Sequence, residues 1–229
     1  MVSSVNSREF LEGMKKSFPI VMGYLPIGIA FGVLANEASL SVVNASLMSF
    51  LVFAGASQFI AVGLLERGLS FISIVVTTLL VNSRHILMSA SLSKHFKKIG
   101  SGKSSLLAFG ITDETFALNS VELEKDKNRG FYFILGVNLV SYLTWSLSTI
   151  GGALLGGYIN DPTSFGLNFA LPAMFIALLA IHTSEKTDLL VIFLSVIISI
   201  MLLPFLGSEW TLIISTILVA TIGVMIKYE

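Results

Sequence analysis

Long apolar runs separated by short polar stretches set the pattern of this chain. Windows able to cross about 30 Å of hydrocarbon fall at Phe18 to Ala35, Ala45 to Leu65, Leu69 to Leu92, Phe131 to Tyr158, Phe165 to Ile181, Leu189 to Leu206 and Thr211 to Ile226. An eighth piece, Ser105 to Leu118, is apolar apart from Asp113 and Glu114. It is short for a full span and reads as a half-helix or an inserted segment. The pattern predicts an all-α, polytopic membrane helical bundle forming one integral membrane domain over residues 1–229. Breakers agree with the limits. Pro19 opens the first span, Asp161-Pro162 marks a turn and Leu206-Gly207-Ser208 ends another span, while Pro26 and Pro172 lie inside spans and are expected to kink them.

Basic residues then test the topology. The N-terminal tail carries Arg8, Lys15 and Lys16, the stretch from Lys94 to Arg129 is rich in lysine, and the loops near Asn36 and Asn160 carry no basic residue. Those two loops are therefore expected to face outward. A single crossing by Leu69 to Leu92 would then put Lys94, Lys97, Lys98 and Lys103 on the wrong side. Two repairs exist: the span breaks and returns around Asn82-Ser83-Arg84-His85, or Ser105 to Leu118 crosses back. Both predict broken or re-entrant helices around residues 82–85 and 105–118, in an interior where protein or a watered cavity surrounds the irregular backbone. The run Phe53 to Ala61 also matches Phe169 to Ala177 at five of nine positions. This raises a duplicated, two-halved architecture, of the kind many transporters use.

Composition supports the membrane reading: 54% of residues are hydrophobic and 12% charged, with a mean hydropathy of +0.87. The formal charge of zero argues against a nucleic-acid partner. Cysteine is absent, so disulfides and thiolate chemistry are excluded. No phosphate-binding glycine loop or paired-histidine zinc motif occurs, and neither cofactor nor metal is expected.

Charges inside apolar sequence are costly and need partners. Arg84 is expected to pair with Asp113 or Glu114, or with a substrate carboxylate held by the guanidinium fork. His85, Asp113 and Glu114 are candidate proton carriers, and the residue types alone do not choose among them. Gln58 follows the small-residue run Ala54-Gly55-Ala56-Ser57, which permits either close helix approach or an unwound turn with the amide offered to a ligand. Gly28 with Gly32, and Gly152 with Gly156, share a four-residue spacing that fits helix packing. Asn138, Ser141, Tyr142, Trp145, Ser148 and Thr149 recur at helical steps and predict one polar face, lining a cavity or meeting another subunit. The candidate substrate-binding set is Gln58, Asn82, Arg84, Asn138, Tyr142 and Trp145. An intramembrane hydrolase using Ser57 and His85, or a passive channel or carrier for another small solute, are the rival readings.

Four motifs in order complete the picture: Gly23-Tyr24-Leu25-Pro26-Ile27-Gly28 with Phe31-Gly32, Ala54-Gly55-Ala56-Ser57-Gln58-Phe59, Asn82-Ser83-Arg84-His85, and Thr112-Asp113-Glu114-Thr115-Phe116. Together they resemble the AzlC family, the large subunits of two-component branched-chain amino-acid exporters. The resemblance implies a multi-pass protein of the cytoplasmic membrane that works with a small AzlD-type membrane partner. It also implies export of leucine, isoleucine, valine and often methionine. The second half of the chain carries no comparable signature. Joined to the residue-level reading, it leads to the expectation of proton-coupled antiport, with a neutral amino acid entering beside Arg84.

Overall fold

A computed structural model describes residues 2–96, 99–126, 129–159, 164, 166–183 and 185–228. The Asp161-Pro162 turn, the loop at Asn160 and the expected start of the fifth span at Phe165 lie outside the described residues, as do Lys97 and Lys98. The elements are helical: α1 (Val2–Lys16), α2 (Phe18–Glu37), α3 (Val42–Leu51), α4 (Gly55–Glu66), α5 (Phe71–Asn82), α6 (Arg84–Phe96), α7 (Ser101–Phe109), α8 (Asp113–Lys125), α9 (Phe131–Gly156), α10 (Ala170–His182) and α11 (Lys186–Tyr228). Among the described residues, four stretches are long and apolar enough to cross a membrane: Phe18–Glu37, Phe71–Phe96, Phe131–Gly156 and Lys186–Gly207.

The helix α9 is the spine. Its first half packs on α1 and its second on α2, both through glycines. A Cβ on Gly13 would strike the Phe133 carbonyl oxygen, one on Gly136 that of Phe10, one on Gly32 that of Thr149, and one on Gly152 that of Ile29. Backbones that approach this closely gain dispersion contact that larger side chains would prevent. The expected packing role of Gly28, Gly32, Gly152 and Gly156 is what the structure shows. Because contacts advance along both partners together, α1–α2 and α9 run in the same direction, bringing Asn36 against Gly156 at one end. At the other end the buried Glu122 accepts from Arg129, and Lys16 and Lys125 each stand 3.4 Å from it.

Three interruptions position the site. The expected span Ala45 to Leu65 is two short helices. The chain leaves helix at residues 52–54, with Phe53 in the left-handed region (φ 46°), and re-enters at Gly55, where a Cβ would lie 2.8 Å from the Trp145 ring. Between α5 and α6 only Ser83 intervenes, and its dihedral angles (φ −55°, ψ −26°) remain right-handed helical. The segment therefore runs on as one long, nearly continuous element. The piece Ser105 to Leu118 is split at residues 110–112 into the end of α7 and the start of α8. Thr112 caps α8 in a reciprocal box with Thr115, satisfying first-turn donors that would otherwise lack partners. The last two expected spans meet inside α11 at a kink where Gly207 has φ 69°, a conformation that costs glycine little.

Candidate functional site

Both breaks, at residues 52–54 and 110–112, open onto one cavity. It is lined by Ile27 and Tyr24 of α2, the Phe53 to Ala56 turn, Arg84 and His85 of α6, Thr112 to Glu114 of α8, and Trp145 of α9. Its volume of about 30 Å³ holds about two waters.

The polar side of the cavity is charged. Arg84 Nη2 lies 2.8 Å from Asp113 Oδ2, with the two side chains 31% and 11% exposed. The Tyr24 hydroxyl donates to Glu114 Oε2 at 2.7 Å and also meets Thr112 Oγ1 at 2.6 Å. His85 Nδ1 lies 3.0 Å from the Asn82 carbonyl oxygen. A carbonyl only accepts, so Nδ1 carries the hydrogen and Nε2 is left to bind a second proton. With one arginine against two carboxylates, the site holds one net negative charge when His85 is neutral. The N-termini of α4 and α8 both end at the cavity. The α4 end presents the first-turn N–H groups of Gly55 and Ala56, which an α-helix leaves without internal partners. Asp113 and Glu114 occupy the corresponding place on α8.

Two aromatic rings, Tyr24 and Trp145, also line the cavity. Tyr24 meets Trp145 edge-on with ring centroids 5.4 Å apart, and Phe31 stacks on Trp145 at 6.1 Å. A hydrogen-bond chain fixes the indole: Trp145 Nε1 donates to Gln58 Oε1 (3.0 Å), Gln58 Nε2 donates to Ser49 Oγ (2.9 Å), and Ser49 donates to Thr149 Oγ1 (2.9 Å). Ala54 N–H donates to the same Gln58 oxygen at 3.2 Å, tying the amide to the chain break.

The structure thus brings Arg84, His85, Asp113, Glu114 and Trp145 to one cavity and places the other sequence-predicted residues around it. Gln58 is buried behind Trp145 with its amide engaged on both atoms. Asn82 is half-buried beside His85, and its Oδ1 is buried with no partner among the described residues. Asn138 donates to the Leu107 carbonyl and accepts from Asn119, packing against Gly110. Tyr142 donates to the Phe50 carbonyl within a cluster of Phe50, Phe53 and Phe109. The polar face of α9 therefore points into protein, and Trp145 alone of its six residues lines the cavity. Ser57 is buried, donates to the Ala54 carbonyl and is not part of the lining. The polar role of Tyr24 escapes sequence reasoning, because its partners lie 88 and 90 positions away.

No solved structure matches the chain. An uncharacterized membrane protein of Helicobacter pylori is 32% identical over 92% of this chain and 93% of its own length. The inner membrane protein YgaZ of Escherichia coli is 34% identical, covering 81% of this chain and 78% of itself. The branched-chain amino acid transport protein AzlC of Bacillus subtilis is 31% identical, covering 74% and 66%. Residues 19–159 match the family described as AzlC protein. That stretch contains every residue of the cavity wall, from Tyr24 to Trp145, and this membrane protein belongs to the AzlC family.

Proposed function

We propose that this chain is the large subunit of an exporter of branched-chain and other aliphatic amino acids, methionine among them, forming one transporter domain over residues 1–229 of the cytoplasmic membrane. It works by proton-coupled antiport with a small AzlD-type membrane partner. The similarity to a relative named as a branched-chain amino acid transport protein supports the substrate class. Direction and partner follow from the family resemblance of the motifs.

The observation that carries the reading is the Arg84–Asp113 ion pair set against an aromatic wall in a cavity between broken helices. A zwitterion matches that arrangement end for end. Its carboxylate takes the Arg84 fork and the N–H groups at the start of α4, as helix ends do for substrate carboxylates in other transporters. Its ammonium takes Asp113 and Glu114, and its aliphatic side chain lies against Tyr24 and Trp145. An apolar pocket discriminates one methylene by only about 1–3 kcal/mol, which fits a set of related substrates. Release outward is coupled to inward movement of a proton on His85, Asp113 or Glu114. With α5–α6 a single crossing, basic residues near α1 and between α6 and α9 share the cytoplasmic side if α3–α4, broken at residues 52–54, dips into the membrane and returns. The breaks flanking the cavity are what a re-entrant course would use.

The test is efflux of preloaded radiolabelled leucine from cells carrying the chain with and without the small partner, with wild type beside Arg84→Ala. Partner-dependent efflux that is lost in Arg84→Ala is the expected result. No efflux from verified membrane protein would remove the reading, and undiminished export by Arg84→Lys would remove the carboxylate clamp. Flux indifferent to the proton gradient would favour a passive carrier.

A further inference from the structure

The three candidate proton carriers are not equivalent in their surroundings. Asp113 is ion-paired to Arg84. His85 is hydrogen-bonded through Nδ1 to the Asn82 carbonyl. Glu114 has no cation within ion-pair distance among the described residues, and its Oε2 is held by the neutral Tyr24 hydroxyl. The groups facing it are Tyr24 from α2, Arg84 and His85 from α6 and Asp113 from its own helix. We propose that Glu114 binds and releases the coupled proton, and that Tyr24 is a positioning residue whose single hydroxyl reverses direction to satisfy both states of the carboxyl group. The proposal rests on the transport reading above and deepens it.

The hydroxyl chain supports both directions without leaving an atom unsatisfied. With Glu114 ionised, the Thr112 hydroxyl donates to Tyr24 Oη (2.6 Å), and Tyr24 donates to Glu114 Oε2 (2.7 Å). When a proton arrives at Oε2, Glu114 becomes the donor to Tyr24 Oη. Tyr24 then donates to Thr112 Oγ1, and the Thr112 hydroxyl turns to Thr115 Oγ1, 3.3 Å away. Thr115 Oγ1 already accepts from Thr112 N–H and donates to the Gly110 carbonyl, and its second lone pair takes the added bond. In both states Thr112 Oγ1 accepts from Thr115 N–H, so the cap of α8 persists. A proton on Glu114 also cancels the net negative charge of the cavity and leaves Asp113 as the one anion facing Arg84. Substrate ammonium and proton therefore compete for the same carboxylate, which is the condition for exchange.

The test is the pH dependence of leucine flux in vesicles reconstituted with the chain and its small partner, comparing wild type, Tyr24→Phe, Glu114→Gln and the double variant. Phenylalanine keeps the ring against Trp145 but removes the donor that favours the ionised carboxylate. The flux midpoint should move towards alkaline pH by about one unit, a tenfold change in proton concentration. Glu114→Gln should abolish that midpoint, and Tyr24→Phe should add nothing in its background. An unchanged midpoint in Tyr24→Phe, or a wild-type midpoint in Glu114→Gln, overturns the proposal. The infrared carbonyl band of a protonated carboxyl group reads the same event without transport. The component of that band that grows with the flux midpoint in wild type should be missing in Glu114→Gln, while the bands of the other carboxyl groups remain. Absence of flux in every vesicle would defeat the transport reading while this band still decides the proton site. If Tyr24→Phe does not insert, wild-type and Glu114→Gln bands of equal amplitude across the flux midpoint overturn the assignment.

Discussion

Removing both members of the Arg84–Asp113 pair should cost less stability than the sum of removing each alone. At an effective dielectric of about 20 and about 4 Å between charge centres, the gross attraction is about 4 kcal/mol. Arg84 is 31% exposed and Asp113 only 11%. Solvent screening and the ordering of a long side chain take back much of the gain, leaving a coupling of about 1–2 kcal/mol. Arg84→Ala leaves Asp113 and Glu114 side by side without a cation, at a cost of about 2–3 kcal/mol. Asp113→Ala leaves a half-buried arginine with Glu114 as its nearest alternative partner, and should cost about 1–2 kcal/mol. Thermal unfolding of the purified protein gives all four corners of the double-mutant cycle. The double variant should recover about 1–2 kcal/mol relative to the sum of the singles while recovering no leucine transport, because the carboxylate clamp is gone. Additive losses, with coupling within about 0.3 kcal/mol of zero, would refute a stabilising Arg84–Asp113 pair.

Gly152→Ala should destabilise the protein by about 1–3 kcal/mol in a melting experiment, because the added methyl meets the Ile29 carbonyl rather than a side chain able to turn away. Trp145→Phe removes the indole donor from Gln58 Oε1 and should cost about 1–2 kcal/mol. In competition efflux the same variant should export leucine and methionine in a changed ratio. Glu122→Ala leaves Arg129, itself only 13% exposed, with Glu12 as its one carboxylate and takes the shared partner from Lys16 and Lys125, and should cost about 1–3 kcal/mol, visible as lower yield and melting temperature. Equal stability in Glu122→Ala would mean that the cluster at this end of α1, α8 and α9 is solvated.

What the sequence disclosed follows from the kind of interaction involved. The spans at Phe18 and Phe131 are legible because a bilayer demands a long uninterrupted apolar run, and Phe18–Glu37 and Phe131–Gly156 supply it. The break at residues 52–54 is less legible, since Leu51, Val52 and Phe53 are as apolar in an irregular turn as in a helix. Its only trace is the small-residue run from Ala54 to Ala56. The Arg84–Asp113 pairing was readable from the cost of a lone charge. The fates of Gln58, Asn138 and Tyr142 were not, because an amide or hydroxyl offered to a ligand and one consumed by a neighbouring backbone look alike until the neighbour is placed. Glu122 sits in the polar stretch from Asn119 to Lys125 and reads as solvated. Its burial is created by α1 and α9, more than a hundred residues away in the case of Lys16.

Burial is uneven around the cavity. In an 18-residue apolar stretch of Phe131–Gly156, 56% is buried within the chain, against 11% for the corresponding stretch of Phe71–Phe96, the element that carries Arg84 and His85. Trp145 is thus mounted on the best-anchored helix and Arg84 on one that its own chain scarcely grips. Segments with few buried apolar contacts open at the lowest free energy. In the proposed function, admitting an amino acid would amount to swinging one panel against a fixed post, with the guanidinium as its latch. On that proposal, a zwitterion whose two charges took over both halves of the latch would release the panel as it bound, so occupancy itself would set the turnover clock.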